Sequence, residues 1–368
     1  RKPMDYKKLS KIPLKLMSNR VYRPFIGGKS IDKWEGNDNP KDNHYGERWI
    51  ASLINIRSQE INDKEGLSKL MIEGNTVTLK EVIESSPQDF LGANHYKKYG
   101  TSLAILVKAL DAYSRLIIQV HPNKETAKRL FNSPFGKTEA WYIIGGRNID
   151  DQEPYILIGF KKGIKKEEYK KLFENQDIKA LENSMHKFPA KEGDVFLIEG
   201  GVPHAIGSGC FLIEIQEPTD YTIRVEKTAP DGREIDAFSC HQGLGFHKMF
   251  DCFDFQGLSS EKTAQKYKLE PSILLDNDDA TVISLISEKD TPLFTMEKII
   301  VKKTLSFNKA NNFAVVAVLK GKGKLLCNGE EVALNQGDEL FLPYEAKVLT
   351  WVNDMEEPLE LVVCLPPS

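Results

Sequence analysis

Gln119-Val120-His121 sets an amide and an imidazole two residues apart. In an extended strand those positions share one face, so both can address one ion. Eighteen residues beyond His121, Gly136-Lys137-Thr138-Glu139-Ala140-Trp141 offers a carboxylate at the start of a second apolar run. His204 lies in Gly201-Val202-Pro203-His204-Ala205-Ile206-Gly207. Two imidazoles, one carboxylate and one amide oxygen suit zinc or another divalent transition metal. A barrel wall could turn all four inward and leave a position open for a substrate. Each residue also has a plainer reading. His121 before Pro122 can simply end a strand, Glu139 can be a surface carboxylate, and His204 beside Pro203 can be a loop histidine. Gln119 alone says nothing, and spacing alone leaves the choice open.

The elements that must position these residues read mainly as short strands between turn signals. In the first half they fall at 103–107, 116–120, 140–144, 155–160, 195–198, 211–215 and 221–225. A second series follows at 281–287, 294–301, 313–319, 324–327, 331–334, 340–342 and 346–352. Asn328-Gly329 is a two-residue hairpin signal, because such turns need positive φ. Four stretches read as helical. Residues 65–73 carry Leu67, Leu70 and Met71 at helical spacing before Gly74-Asn75. Thr78 followed by Glu81 forms a capping box ahead of Leu79, Val82 and Ile83. Residues 124–131 follow His121-Pro122, and 165–185 repeat Tyr169, Leu172, Phe173, Ile178, Leu181 and Met185 among lysines and glutamates. The lysines at 161, 162, 165, 166, 170 and 171 read as a solvated face.

A short internal repeat links the halves. Residues 191–198 (KEGDVFLI) resemble 335–342 (NQGDELFL), each with a Gly-Asp turn feeding an apolar strand. Aligned without gaps, His204 falls opposite Val348. The expected fold is therefore mainly β: two cupin-like antiparallel β-barrels (jelly rolls) with a few helices inserted in the N-terminal half. Residues 1–235 would form the metal-binding domain, with helical insertions near 60–95 and 161–187. Residues 236–368 would form a second β domain lacking the metal histidine.

Among the 368 residues, 50 basic and 53 acidic side chains leave a formal charge of −3. That balance argues against a nucleic-acid protein, yet a local positive pocket could still take an anion. The five cysteines are scattered, with no CxxC pair, so neither a zinc ribbon nor a disulfide framework is expected. Residues 1–16 are basic without a signal-peptide core. No window approaches the roughly 18 apolar residues of a membrane span. A cytoplasmic protein, monomeric or weakly dimeric, with no membrane partner, is the expectation.

Several segments, in order, resemble the type I phosphomannose isomerase family of the cupin superfamily. They are Gly46-Glu47-Arg48-Trp49-Ile50-Ala51-Ser52, Leu106-Val107-Lys108-Ala109-Leu110-Asp111-Ala112, Gln119-Val120-His121-Pro122 and Gly136-Lys137-Thr138-Glu139-Ala140-Trp141. Val202–Gly207, Glu214-Ile215-Gln216 and Asp220-Tyr221-Thr222-Ile223-Arg224 complete the series. The resemblance covers roughly the first 230 residues and the last third only in outline. It implies one zinc ion per chain, held by Gln119, His121, Glu139 and His204, and a small sugar phosphate as substrate. It implies Arg224 as the active-site arginine, Glu214 as acid/base, and Lys108 and Lys137 beside the substrate. Without the resemblance, Lys137 reads as a solvated loop lysine and Arg224 as a cross-strand ion pair with Glu226 or Glu214.

The implied activity is interconversion of mannose 6-phosphate and fructose 6-phosphate through an enediolate. A metal stabilises the oxyanion, a buried carboxylate relays the proton, and a guanidinium neutralises anionic charge. The sequence departs from the family at Ile117, where a serine is usual two residues before the metal glutamine. That change leaves room for another sugar or sugar phosphate as substrate. Two further readings are a non-catalytic sugar-phosphate sensor and a purely structural metal site. Residues Glu199-Gly200-Gly201 and Val225-Glu226-Lys227-Thr228 also depart from the family pattern. The remaining histidines (His44, His95, His186, His241, His247) match no metal motif.

Overall fold

The same tight turn starts the same strand in both halves of the chain. The computed structural model describes residues 4–57 and 65–368. In it Gly193 and Gly337 take φ of 96° and 90°, which a side chain would strain. Asp194 then accepts from the Lys191 amide at 2.9 Å, and Asp338 from the Asn335 amide at 2.8 Å. The strands Val195–Ile198 and Glu339–Leu342 follow. The repeat is thus a repeat of structure.

Each half is a jelly roll of two antiparallel sheets. In the first, a large sheet runs Lys268–Leu269, Val195–Ile198, Glu139–Gly146, Cys210–Gln216, Leu106–Asp111, Glu47–Ile50, Arg20–Val21. The facing small sheet runs Met185–Pro189, Tyr155–Phe160, His204–Ile206, Gln119–Val120, Ile223–Arg224. In the second half a seven-stranded sheet faces a four-stranded one. The sheets hydrogen-bond within themselves and meet through side chains, so neither roll closes into a continuous barrel.

Strand alternation decides what each face carries. In Leu106–Asp111 and Cys210–Gln216, Val107, Ala109, Ile213 and Ile215 point out of the roll. There they join a core shared with Val315, Ala317, Phe341 and Val362 of the second roll. Their neighbours Leu110 and Leu212 point inward with Trp141, Ile143 and Phe196. The small sheet does the same. Ile118, Val120, Ala205 and Ile223 pack outward beneath Tyr169, Phe173, Met249 and Phe250, which leaves Gln119 and His204 to face the interior. Both faces of both sheets are therefore covered, and each large buried apolar side chain adds about 1.5–3 kcal/mol.

Two helical expectations are corrected. Residues 65–73 are not a helix: Lys69–Ile72 is a strand, paired with Asn75–Thr78. Glu73 and Gly74, at φ 49° and 81°, make a two-residue turn with positive φ twice, the geometry that suits the strand twist. The residues Leu67, Leu70 and Met71 fit a helical period only by chance of spacing. The stretch 165–185 is two helices, Lys166–Glu174 and Ile178–Asn183, and Met185 already begins a strand. Gln176 at φ 47° breaks it, and Asp177 caps the second helix at the Ala180 amide. Leu79–Ser85, capped by Thr78, and Lys124–Phe131, capped by Asn123, form as expected. Asn328-Gly329 turns the hairpin of Lys322–Cys327 and Glu330–Asn335.

Of the insertion expected near 60–95, residues 60–64 lie outside the described residues. The rest is the hairpin and three short helices, Leu79–Ser85, Pro87–Leu91 and Ala93–Tyr99. After Asp236, the helices Ala237–His241 and Gly245–Lys248 continue into Met249, Phe250 and Phe253 under the small sheet. The strand Leu14–Leu16 crosses the other way, pairing with Glu339–Leu342 of the second roll. Among the described residues no helix is long and apolar enough to cross a membrane.

Candidate active site

Gln119, His204 and Arg224 stand side by side across the small sheet, since Gln119 pairs with His204 on one flank and Arg224 on the other. Across the interior, Trp49, Lys108, Glu214 and Trp141 form a matching in-register row on the large sheet. Glu139, two residues before Trp141, shares its face. His121 follows the strand Gln119–Val120 directly. The two rows enclose a pocket whose wall includes Gln119, Glu139, His204, Glu214, Arg224 and Lys137.

His121, Glu139 and His204 converge. Their ligand atoms all lie within 4.8 Å of one another, and all three residues are buried. His121 Nδ1 donates to the Tyr221 carbonyl at 3.0 Å and His204 Nδ1 to the Val202 carbonyl at 2.9 Å. A carbonyl only accepts, so both Nδ1 atoms carry the proton and both Nε2 atoms present lone pairs. Those lone pairs face each other at 3.1 Å and face the Glu139 oxygens at 3.1 and 3.2 Å. Glu139 Oε2 is buried with no hydrogen-bond donor. Lys137 Nζ reaches His121 Nε2 at 3.3 Å, but no proton lies between His121, His204 and Glu139 themselves, and acceptors packed this closely repel unless a cation lies among them. The donor set therefore fits a divalent metal.

The charges agree. Burial, helped by Lys137, pushes the His121 imidazole down to about 3, so it is a neutral ligand. Burial opposes ionisation of Glu139, but with His121 neutral the buried Lys137 ammonium, 3.6 Å away, favours the carboxylate, and the carboxyl lies well below its usual range. Gln119 Nε2 donates to the Ile117 carbonyl at 2.9 Å, leaving its Oε1 as the end available to a cation. Lys137 is no solvated loop lysine. It is 3% exposed, with Nζ 3.3 Å from His121 Nε2 and 3.6 Å from Glu139 Oε2.

Glu214 sits beside this cluster. Trp141 Nε1 donates at 3.1 Å to both Glu214 and Glu139, so one indole N–H ties the two carboxylates together. Lys108 Nζ lies 3.7 Å from Glu214. Burial, with Glu139 adding to it, pushes the Glu214 carboxyl up to about 8. Arg224 makes neither of the ion pairs considered for it. Glu226 pairs with Arg115 and Glu214 with Lys108, while Arg224 donates to the Ser239 carbonyl at 2.8 Å. Burial and the nearby Arg23 push its guanidinium down to about 10. Among the described residues it is a buried cation without an ion pair, open to an anion.

Ile117 also faces the pocket, two residues from Gln119 and away from His121. It packs with Ala229, Ile235 and Cys240, so the wall beyond Gln119 is apolar. Arg23, Glu47 and Asp220 join the site without having been assigned a role from sequence. Glu47 and Asp220 lay within the quoted segments; Arg23 had no local signal.

The model of the phosphomannose isomerase type I catalytic domain matches residues 17–138, and that of the mannose-6-phosphate isomerase cupin domain matches 287–354. The mannose-6-phosphate isomerase of Streptococcus mutans is 28% identical over 351 residues, 94% of this chain and 96% of that protein. ManA of Bacillus subtilis, also a mannose-6-phosphate isomerase, is 28% identical over 67% of this chain and 70% of its own. In fold, the crystal structure of a mannose 6-phosphate isomerase from Bacillus subtilis has a TM-score of 0.72 at 21% identity, covering 96% and 99% of the two chains. A zinc-bound mannose 6-phosphate isomerase has a TM-score of 0.71 at 15% identity, covering 97% and 100%. With both of its domain models matched in order over this length, the chain belongs to the type I phosphomannose isomerase family.

Proposed function

We propose that this protein is a zinc-dependent isomerase that interconverts mannose 6-phosphate and fructose 6-phosphate through an enediolate. The observation that carries the proposal is the shared Trp141 N–H, which sets a candidate base, Glu214, against Glu139 of the candidate metal set. Gln119, His121, Glu139 and His204 would hold the ion. Zinc bound there supplies a Lewis acid that stabilises negative charge on the sugar's reacting oxygens. The zinc-bound relative supports this choice of metal.

Glu214 is the group placed to move the proton between carbons 1 and 2. Its raised affinity for a proton lets it hold one between removal at one carbon and return at the other. Lys108, 3.7 Å away, keeps the carboxylate oriented. Lys137 offers a buried positive charge beside the reacting end. Arg224, one strand from Gln119 and two from His204, lies on the order of 10 Å across the sheet from His204 at ordinary strand spacing. That spacing suits an anion carried at the far end of a six-carbon chain.

Ile117 supports a second reading, in which fold and chemistry stay and the sugar differs. Its apolar packing against Ala229, Ile235 and Cys240 offers no donor to a phosphate. The test is fructose 6-phosphate formation from mannose 6-phosphate by chelated protein, with and without added zinc. Zinc-dependent turnover supports the first reading. Turnover confined to other sugars in a panel moves the assignment to the second, and none with a fully loaded protein sinks both.

A further inference from the structure

Arg23 lines the pocket and is 8% exposed, yet its charge is already spent. Its two terminal nitrogens donate to Asp220 at 3.3 and 3.0 Å. Its Nε lies 3.3 Å from Glu47 Oε2. A planar fork can hold two carboxylates at fixed angles in a way an ammonium cannot.

Each carboxylate leads one step further, on opposite walls. Glu47 belongs to the large sheet, and its other oxygen is 3.4 Å from Lys108 Nζ, the lysine that faces Glu214. Asp220 belongs to the segment that enters the small sheet at Ile223–Arg224. It also accepts from the Arg57 amide at 2.8 Å. The next residue, Tyr221, gives the carbonyl that orients His121, and Arg224 follows three residues later.

We infer that Arg23 is a positioning residue: by bracing Glu47 against Asp220 it fixes Lys108 on one wall, and the His121 orienter and Arg224 on the other. This inference rests on the metal site and isomerase reading above. Without Arg23, two buried carboxylates lose their counter-ion, and Lys108, 3.4 Å from Glu47, is the cation left to answer Glu47. Lys108 would then move from Glu214, and the Tyr221 carbonyl from His121. Neither change removes a group that touches the substrate.

The experiment compares the wild type with Arg23→Lys, Arg23→Met and Asp220→Asn. Zinc affinity is measured by competition with a chelator, and kcat and KM for mannose 6-phosphate are measured with the proteins loaded. Loss of an orienting partner weakens metal binding by about 10–100-fold, so zinc affinity should fall by about tenfold or more in Arg23→Met and less in Arg23→Lys. Misplacement of Lys108 should lower kcat by about tenfold to a hundredfold, and misplacement of Arg224 should raise KM alongside it. Two outcomes overturn the inference. One is a raised KM with kcat and zinc affinity intact, which would make Arg23 a substrate ligand. The other is wild-type behaviour on all three measures in Arg23→Met. If Arg23→Met does not fold, Arg23→Lys and Asp220→Asn decide by the same split. A wild type that binds zinc but turns over no sugar defeats the isomerase reading alone, and zinc affinity still judges Arg23. A wild type that does neither defeats both.

Discussion

His204 and Glu214 lie within one cluster, but their removal should have opposite signatures. His204→Ala takes away a ligand and opens the triangle, so zinc and turnover should disappear together when metal content and activity are measured on the same sample. Glu214→Gln keeps an oxygen to accept from Trp141 but cannot carry the proton. Zinc should stay while kcat falls by about 10²–10⁴-fold; a fully active variant would remove Glu214 as the base. Asp220 gives a pH prediction. Burial disfavours its charge, but Arg23, with Lys108 and Lys137, outweighs burial and holds the carboxyl well below its usual range. The unfolded chain therefore binds the proton first. The stabilisation is present above an unfolded value of about 3.9 and is lost as pH falls below it. Urea unfolding should show Asp220→Asn less stable than wild type at pH 7, with the gap shrinking near pH 3. A gap that widened in acid would contradict the sign.

At the scale of the element, the tight turns are the informative parts. The Lys69–Ile72 hairpin turns through Glu73 at φ 49°, a conformation that costs most side chains roughly 1–2 kcal/mol and asparagine less. Glu73→Asn would also create the Asn-Gly pair that such hairpins favour. It should raise stability by about 0.5–1 kcal/mol in denaturant titration; unchanged or lower stability would mean the turn is not under this strain. The helix read at 165–185 failed for a related reason. Its apolar spacing continues through 175–177, but Gln176 takes a left-handed backbone held by tertiary bonds. Its amide donates to Phe173 and Val225, and its oxygen accepts from the Lys227 amide at 2.7 Å. Periodicity reports which residues are buried, not whether the backbone between them is continuous.

Across the whole molecule, the two rolls are joined by charge as well as by apolar contact. Glu339, fully buried in the second roll, meets Arg48 of the first at 3.2 Å and accepts from the Ala51 amide at 2.9 Å. The Trp34 indole donates to the Val318 carbonyl at 3.0 Å. Glu339→Ala would leave part of a buried guanidinium and an amide unanswered. A loss of about 3–5 kcal/mol is expected for such a broken pair, read from the unfolding midpoint. The second roll has Val348, 68% exposed, where the repeat aligns with His204. It contributes packing to the outer face of the strands that carry Lys108, Glu214 and Glu139.

Local chemistry was legible in the sequence by itself. The i, i+2 spacing of Gln119 and His121, the Gly-Asp repeat, the Thr78 and Asn328-Gly329 signals and the family segments all depend on neighbours along the chain. They were enough for the β-rich jelly rolls and for a candidate ligand set. Only the tertiary structure decided which lone pairs converge, that Arg224 has no ion pair among the described residues, and that Lys137 is buried. It alone brought Arg23 to Asp220, 197 residues away. The reason is physical: strand alternation and turn geometry are settled within a few residues, whereas a buried ion pair exists only once two sheets have stacked and excluded the water that would otherwise solvate each charge.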